Sequence, residues 1–249
     1  MRWVFPAARP LVYPRRVDPE FRFTFDRYLP LIDPDTFSDV AFYQELSKIG
    51  YRQVLLGGTG SAGLVDVVRS IKAHTDLTVA LYPAGPDAVC ATDVVIMPDV
   101  MNSNSHFARP FGSGAVATAM NIMRQGLNFV PVAYIIMGNS TARWYFDAFL
   151  LPSTKILLGY ANYARMVGYR YLALDYEDPQ INIDPHLIAA LRRIPGLHLV
   201  VSDEFTPASA AEALSYGAQT VITPSDIFED ASDPLALAAE FYTRLLKPT

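Results

Sequence analysis

Two short polar segments follow apolar runs near the beginning of the chain. Residues 28–35 read Tyr-Leu-Pro-Leu-Ile-Asp-Pro-Asp, and residues 54–63 read Val-Leu-Leu-Gly-Gly-Thr-Gly-Ser-Ala-Gly. The carboxylates of Asp33 and Asp35 could hold a hard divalent cation, and the glycine-rich loop around Thr59 could bring backbone N–H groups to a phosphate. Both segments are also ordinary turn sequences, so the residues alone leave a pair of strand-ending turns as the alternative.

Such polar ends need buried strands to position them, and the chain offers eight. Apolar runs suited to strands alternate with helical patterns, and a chain of 249 residues has the usual length of one eight-stranded β/α barrel. We predict an α/β protein with a single modified TIM (β/α)8 barrel over residues 28–249, after an N-terminal arm of residues 1–27 with at most a short helix around residues 19–26. The predicted strands are 28–32, 53–56, 77–82, 94–97, 130–137, 171–175, 197–201 and 219–222. The predicted helices are 39–48, 64–75, 115–126, 155–167, 184–193, 206–217 and 234–246.

The third connection is too short for a regular crossover helix. Only residues 83–93 separate the third and fourth strands, and Pro83, Gly85 and Pro86 stand in the first half of that segment. A crossover helix with its loops needs about ten residues or more. We therefore predict that the third helix is missing or vestigial.

Composition excludes several classes of protein. The net charge of −5 and the isoelectric point near 5.3 offer no basic patch for nucleic acid. The single Cys90 excludes an intrachain disulfide framework and fits a reducing compartment. No uninterrupted apolar run is long enough to cross a membrane, and the first residues do not form a signal peptide. We expect a cytoplasmic protein, and its apolar balance is compatible with a peripheral membrane contact.

The residues that follow the predicted strands are rich in oxygen ligands. The four histidines show no metal-binding spacing and Cys90 has no partner, so zinc and haem are not expected. Oxygen ligands favour Mg²⁺, the ion that usually accompanies diphosphates. The polar positions after the strands are Asp33, Asp35, Thr59, Ser61, Tyr82, residues 102–105, Asn139, Asp175, Glu177, residues 202–204 and Ser225.

Four motifs in order resemble the geranylgeranylglyceryl and heptaprenylglyceryl phosphate synthase family over residues 28–246. They are Leu-Ile-Asp-Pro-Asp at 31–35, Leu-Gly-Gly-Thr at 56–59, Val-Met-Asn-Ser at 100–103 and Ala-Tyr-Ile-Ile at 133–136. The resemblance implies a barrel whose third helix is replaced by an extended segment, and a Mg²⁺-dependent prenyltransferase. It also implies a homodimer, because many members of the family dimerise.

The resemblance also implies roles for particular residues. Asp33 and Thr59 would hold Mg²⁺, and Asp175 would orient or deprotonate the attacking hydroxyl group. The remaining residues are assigned to binding either the prenyl diphosphate donor or the acceptor. The prenyl diphosphate would contact Asp35, Gly58, Thr59, Ser61, Asn102 and Ser103, and the small phosphorylated acceptor would contact Tyr176, Glu177 and Ser225.

The chain departs from the family pattern at the acceptor end. Residues 173–178 read Ala-Leu-Asp-Tyr-Glu-Asp where the family has Tyr-x-Glu-x-Ser-Gly, and residues 202–205 read Ser-Asp-Glu-Phe where it has three glycines around a phosphate. Residues 224 and 225 are Pro-Ser where it has Gly-Asn. Acidic side chains repel phosphate, so the usual acceptor site is altered.

One branch of the family is compatible with a chain that keeps the residues for the prenyl donor and differs at the residues for the acceptor. This is the moenomycin-type antibiotic branch, in which farnesyl diphosphate is joined to 3-phosphoglycerate, and the chain most resembles it. The alternatives are the synthase that uses glycerol 1-phosphate and a barrel that binds a prenyl diphosphate without catalysis. A phosphosugar isomerase on the same fold is disfavoured by the apolar residues of the 115–126 helix and the fifth strand.

Overall fold

Eight parallel strands close into a barrel in chain order, with β1 paired to both β2 and β8. The computed structural model describes residues 21–58, 63–178 and 182–247. This architecture confirms the predicted single α/β barrel. The strands are β1 Tyr28–Ile32, β2 Gln53–Gly58, β3 Thr78–Pro83, β4 Val94–Val100, β5 Phe129–Ile136, β6 Tyr171–Asp175, β7 His198–Ser202 and β8 Thr220–Thr223.

Helices follow every strand except β3. Between β3 and β4 there is only a 3-10 turn at Pro86–Ala88, so the predicted absence of the third crossover helix is confirmed. Two short helices, α4 and α8, were not predicted from the sequence. The helices are α1 Val40–Ile49, α2 Leu64–His74, α3 Ser113–Gln125, α4 Thr141–Tyr145, α5 Thr154–Val167, α6 Pro185–Arg192, α7 Pro207–Tyr216, α8 Asp226–Glu229 and α9 Pro234–Leu245.

Local sequence sets the ends of these helices. The Asp184 side chain accepts a hydrogen bond from the backbone N–H of His186, and Pro185 occupies the first helical position, as predicted. The last carbonyl groups of α3 meet the N–H of Gly126, whose φ of 65° is in the left-handed region that favours glycine. Most helix boundaries therefore fall within one or two residues of the predicted ones.

Alternation along the strands divides the core into two layers. Leu29, Leu55 and Ala80 point into the barrel, whereas Tyr28 and Val54 point outwards to the helices. A strand places successive side chains on opposite faces, so each strand serves both layers. The same alternation decides which residues at the strand ends face the inside of the barrel.

The end of the N-terminal arm closes the amino end of the barrel. Phe23 and Phe25 are buried in the inner layer, and the ring of Phe25 meets Tyr171 edge to face with centroids 5.0 Å apart. Residues 21–26 are not helical, so the part of the predicted 19–26 helix that the structure describes is absent. The rest of the arm lies outside the described residues.

The described ranges contain no helix that is both long and apolar enough to cross a bilayer.

Candidate functional site

A cavity of about 350 Å³ lies over the carboxyl ends of the strands, where β/α barrels place their chemistry. One wall is acidic, and the other is apolar and aromatic. The acidic and polar wall consists of Asp33, Glu177, Ser225 and Asp226, and the apolar and aromatic wall of Leu31, Tyr82, Pro83, Ala84, Tyr134, Ala142, Tyr145 and Phe146. Two other cavities, of about 310 and 230 Å³, lie at the amino end of the barrel.

Asp33 reaches the acidic wall because it continues the inward phase of Leu29 and Leu31. Its backbone N–H donates to Ser225 Oγ at 3.1 Å, and its Oδ1 accepts from the Asp35 N–H at 2.8 Å. Burial raises the pKa of Asp33, and the negative charges of Asp35, Glu229 and Asp226 raise it further against that hydrogen bond. A cation in this position would relieve the repulsion between these carboxylates.

Asp175 is fully buried at the end of β6, beneath the cavity. The hydroxyl of Tyr134 donates a short hydrogen bond to its Oδ2, while its buried Oδ1 has no partner among the described residues. Burial raises the pKa of Asp175 to about 7, since desolvation outweighs the stabilising hydrogen bond from Tyr134. A carboxyl group with its pKa near neutrality and one free oxygen can accept a proton.

Glu177 stands two residues further along and lines the cavity directly. Its Oε1 accepts from the Ser202 hydroxyl at 3.3 Å. Burial raises the pKa of Glu177 to about 8, and the charge of Asp175 contributes to the rise. Burial also raises the pKa of Asp203, which follows β7, to about 6. The carboxyl groups that follow or end β6 and β7 therefore resist ionisation.

Tyr82 completes the polar centre from the opposite side of the barrel. Its ring packs edge to face on Tyr134 with centroids 6.0 Å apart. Its hydroxyl is buried and has no hydrogen-bond partner among the described residues. A buried polar atom without a partner is costly, so this hydroxyl is available to a ligand oxygen.

Three predicted site residues have side chains that do not face the cavity. Tyr176 lies in the outer layer between the barrel and the helices, because strand alternation turns it away from Asp175 and Glu177. The Asn102 amide donates to the carbonyls of Ile136 and Phe149 and accepts from the Ile136 N–H. The Ser103 hydroxyl donates to the Phe146 carbonyl. These side chains therefore have structural contacts in the described protein, and the predicted ligand contacts of Tyr176, Asn102 and Ser103 stay predictions.

The other predicted site residues lie near the rim of the cavity or outside the described residues. Asp35 is exposed at the rim, and Ser225 is buried with its Oγ on the Asp33 N–H. Gly58 ends β2 opposite Pro83, while its neighbour Gly57 lines the cavity. Thr59 and Ser61 lie outside the described residues, so their predicted contacts with metal and diphosphate stay predictions.

The side chains at the cavity could bind a hard cation only together with oxygen atoms of a bound ligand. Within residues 21–58, 63–178 and 182–247, no group of three or more His, Cys, Asp or Glu side chains forms a metal site by itself. Mg²⁺ is commonly held by one or two carboxylates together with substrate phosphates and water. Asp33, with a pKa raised partly by neighbouring charges, fits that arrangement, and the chemistry of the cavity is therefore compatible with a Mg²⁺–diphosphate pair.

Sequence reasoning included Tyr82 among the polar positions after the strands without giving it a role, and it did not include Tyr134 or Asp226. Tyr82 was recognisable, since it occupies the inward position near the end of β3. Tyr134 was indistinguishable from a core aromatic residue until its contact with Asp175 was known. Asp226 begins the short helix α8, for which the sequence has no clear periodic signal.

A closed parallel barrel with an acid-lined cavity at its carboxyl end defines a β/α-barrel enzyme, and comparison with known proteins gives its family. The sequence profile of the PcrB family matches residues 21–240, and the chain belongs to this family.

Two curated relatives of the chain carry the same name. It is 29% identical over 211 residues to the geranylgeranylglyceryl phosphate synthase of Pyrococcus abyssi, covering 79% of this chain and 82% of the relative. It is 25% identical over 217 residues to the enzyme of the same name from Thermofilum pendens, covering 83% and 84%.

Solved structures agree on the fold. The crystal structure of (S)-3-O-geranylgeranylglyceryl phosphate synthase from Thermoplasma acidophilum in complex with sn-glycerol-1-phosphate superposes with a TM-score of 0.77 at 20% identity, covering 88% of this chain and 93% of that one. The wild-type enzyme from Thermoplasma volcanium gives a TM-score of 0.75 at 18% identity, covering 88% and 92%. At these identities the likeness establishes a common barrel.

Proposed function

We propose that this chain transfers a prenyl group from a prenyl diphosphate to a hydroxyl group of a glycerol phosphate, forming an ether with the help of Mg²⁺. The chain is an enzyme of the PcrB family, a prenyltransferase. Its curated relatives, which are named geranylgeranylglyceryl phosphate synthases, support glycerol phosphate as the acceptor class.

The observation that carries this proposal is the division of one cavity into two chemical halves. Asp33 and Asp226 lie on one wall, and Pro83, Ala84 and Phe146 lie on the other. A prenyl diphosphate has the same division, with a polyanionic head and an apolar chain. A smaller apolar crevice of about 30 Å³ continues from Pro83, Ala84 and Phe146 towards α3 and offers a direction for the chain.

At the donor head, Asp33 would hold Mg²⁺, with Thr59 as its predicted companion. The ion would supply positive charge against the diphosphate as the allylic C–O bond breaks. The hydrogen bond from Asp35 N–H fixes the Asp33 carboxylate, so the side chain is oriented before substrate binds. The apolar wall would exclude water from the allylic cation that develops in the transition state.

At the acceptor end, Asp175 would take the proton of the attacking hydroxyl through its free Oδ1. The hydroxyl oxygen then forms the new C–O bond, and the diphosphate leaves with the electrons of the old one. Tyr134 would hold Asp175 in place through Oδ2 and would favour its ionised form. The free hydroxyl of Tyr82 would donate to an acceptor oxygen.

The identity of both substrates within these classes is a finer proposal. Farnesyl diphosphate with 3-phosphoglycerate follows from the altered acceptor end, where Asp203 and Glu204 stand after β7. Glycerol 1-phosphate has the better support from the relatives, because their names specify a glyceryl phosphate product. The experiment must therefore offer both acceptors.

The test uses purified full-length protein with Mg²⁺, farnesyl or geranylgeranyl diphosphate, and either glycerol 1-phosphate or 3-phosphoglycerate. Mass spectrometry of the products identifies the donor and acceptor together. We expect Asp33→Asn to lower turnover by at least about a hundredfold, since charge stabilisation of the leaving group is lost. The matched variant Asp35→Asn should keep most activity, because Asp35 is exposed and holds Asp33 through its backbone N–H. A loss as large as that of Asp33→Asn would instead support the predicted contact of the Asp35 side chain with the diphosphate.

Two results would contradict the proposal. Full turnover by Asp33→Asn, at every Mg²⁺ concentration, would remove Asp33 from the metal site. Binding of the prenyl diphosphate by calorimetry without an ether product from either acceptor would support the non-catalytic alternative instead.

A further inference from the structure

One sector of the barrel wall has a charge opposite to that of the whole chain. Between Asp99 and Asp175 the sequence contains a single acidic residue, Asp147, although the chain has 25 acidic residues and a net charge of −5. The same stretch supplies β5, α3, α4 and α5, which are consecutive around the barrel. Its basic residues are Arg109, Arg124, Arg143, Lys155, Arg165 and Arg170.

The exposed large hydrophobic side chains are concentrated in this same sector. Among the described residues, Val65 is the one such side chain that lies elsewhere. Trp144 is 83% exposed and Phe111 is 77% exposed. On α3, Val116 and Met120 stand one helical turn apart on the outer face, and no acidic residue occurs on that helix. We call this sector, residues 100–174, the basic apolar face.

Two segments of this face that lie near the cavity are joined by main-chain hydrogen bonds. Ser103 and Ala148 form an isolated antiparallel bridge, and the Asn104 N–H donates to the Asp147 carbonyl at 3.0 Å. These contacts join the loop that carries Phe111 to the segment that follows Trp144. The exposed aromatic side chains therefore extend from a connected surface.

The apolar wall of the cavity is built from the same sector. Tyr145 and Phe146 line the cavity, and the Tyr145 hydroxyl donates to the Ala84 carbonyl at 3.2 Å. The small crevice that continues from the cavity is lined by Phe107 and by residues of α3. A lipid chain that leaves the cavity on its apolar side would emerge at the basic apolar face.

We propose that the basic apolar face docks on an anionic lipid bilayer. Exposed Trp and Phe side chains enter the interface between head groups and acyl chains, and nearby Arg and Lys side chains bind anionic head groups. The proposal rests on the proposed function in one respect, because a prenyl donor and its product are themselves lipids. The charge and exposure of the face are independent of that function.

The homodimer that the family resemblance implies is the competing occupant of this face, and charge favours lipid over it. In a two-fold dimer the same face would meet itself and bring the basic residues of both copies together. Like charges at an interface are unfavourable, whereas an anionic membrane is complementary to them.

The test is flotation of the full-length protein with vesicles, in the absence of substrate and Mg²⁺. One set of vesicles contains phosphatidylcholine alone, and the other contains phosphatidylcholine with phosphatidylglycerol. We expect binding to the anionic vesicles that weakens as salt is added. The double variant Phe111→Ser, Trp144→Ser should weaken it by at least about tenfold. Arg109 is exposed two residues before Phe111, and Lys155 is in the first turn of α5; replacing either with Gln should cost roughly fivefold.

The matched control is Val65→Ser, which removes an exposed hydrophobic side chain on α2, outside the face. It should bind vesicles like the wild type. Failure of the wild type to float with anionic vesicles at low salt would overturn the proposal, as would equal binding by the double variant. A wild-type dimer in light scattering that the double variant converts to a monomer, without vesicle binding, would assign the face to self-association instead.

Failure of the docking proposal is distinguishable from failure of the enzymatic one. Asp33→Asn should float with anionic vesicles like the wild type, whatever its turnover. The Phe111→Ser, Trp144→Ser variant should retain turnover of a short, water-soluble donor in detergent-free solution, because neither side chain lines the cavity.

Discussion

At the scale of single residues, the end of β6 carries two carboxyl groups that share one face. Asp175 and Glu177 are two residues apart, and strand alternation points both towards the cavity. The family motif after the sixth strand has Ser at the position of Glu177. This difference gives the chain two carboxyl groups at the end of β6.

The pair predicts a dependence of stability on pH. The pKa of Glu177 is about 8 in the folded protein, above its usual value, so the folded state binds more protons between about pH 4.5 and pH 8. Glu177 therefore contributes stability that is lost as the pH rises through this window. Glu177→Gln removes this group. Between pH 5 and pH 9, we expect the free energy of unfolding of the variant to fall by about 1–2 kcal/mol less than that of the wild type.

Chemical denaturation at a series of pH values measures this difference, with Glu212→Gln as an exposed control on α7. Parallel stability curves for the wild type and Glu177→Gln would show that the pair does not titrate in this range.

At the scale of elements, Asn102 joins three segments that surround the cavity. Its amide links the loop after β4 to the end of β5 and to the segment after α4 through three main-chain hydrogen bonds. This arrangement holds the apolar wall of the cavity in place. Asn102 in the family-like motif at residues 100–103 thus has a structural role, and its predicted contact with diphosphate stays a prediction.

Asn102→Ala should lower the free energy of unfolding by about 2–4 kcal/mol, because it leaves buried carbonyl and N–H groups without partners. Asn104→Ala is the matched control, since Asn104 is exposed, and its effect should be below about 0.5 kcal/mol. Thermal or chemical denaturation measures both. A loss of diphosphate affinity by Asn102→Ala at unchanged stability would instead restore the ligand role that the sequence suggested.

At the scale of the whole molecule, the two ends of the barrel have different roles. The carboxyl end holds the cavity, and the amino end is closed by Phe23 and Phe25 from the N-terminal arm. Burial of these rings covers the inner layer from the side opposite the site. Stability and activity can therefore be altered separately.

Phe25→Ala should destabilise the protein by about 3–4 kcal/mol through loss of a buried ring and the cavity left behind. Turnover measured well below the unfolding temperature should change less than about threefold, because Phe25 lies at the opposite end from the site. Phe111→Ala, at an exposed position, is the control for loss of a phenylalanine and should leave the unfolding temperature unchanged. A large loss of turnover in folded Phe25→Ala protein would contradict this separation.

The sequence by itself determined the barrel, the missing third helix and the positions of Asp33 and Asp175 after their strands. These features are local: strands are apolar runs of set length, prolines prevent a helix, and parallel strands place their carboxyl ends together. Only the tertiary structure shows that Tyr176 faces outwards, that the Asn102 side chain is hydrogen-bonded to main-chain groups and that Tyr134 holds Asp175. Those outcomes depend on the direction a side chain takes and on partners more than thirty residues away in the chain, which no local pattern encodes.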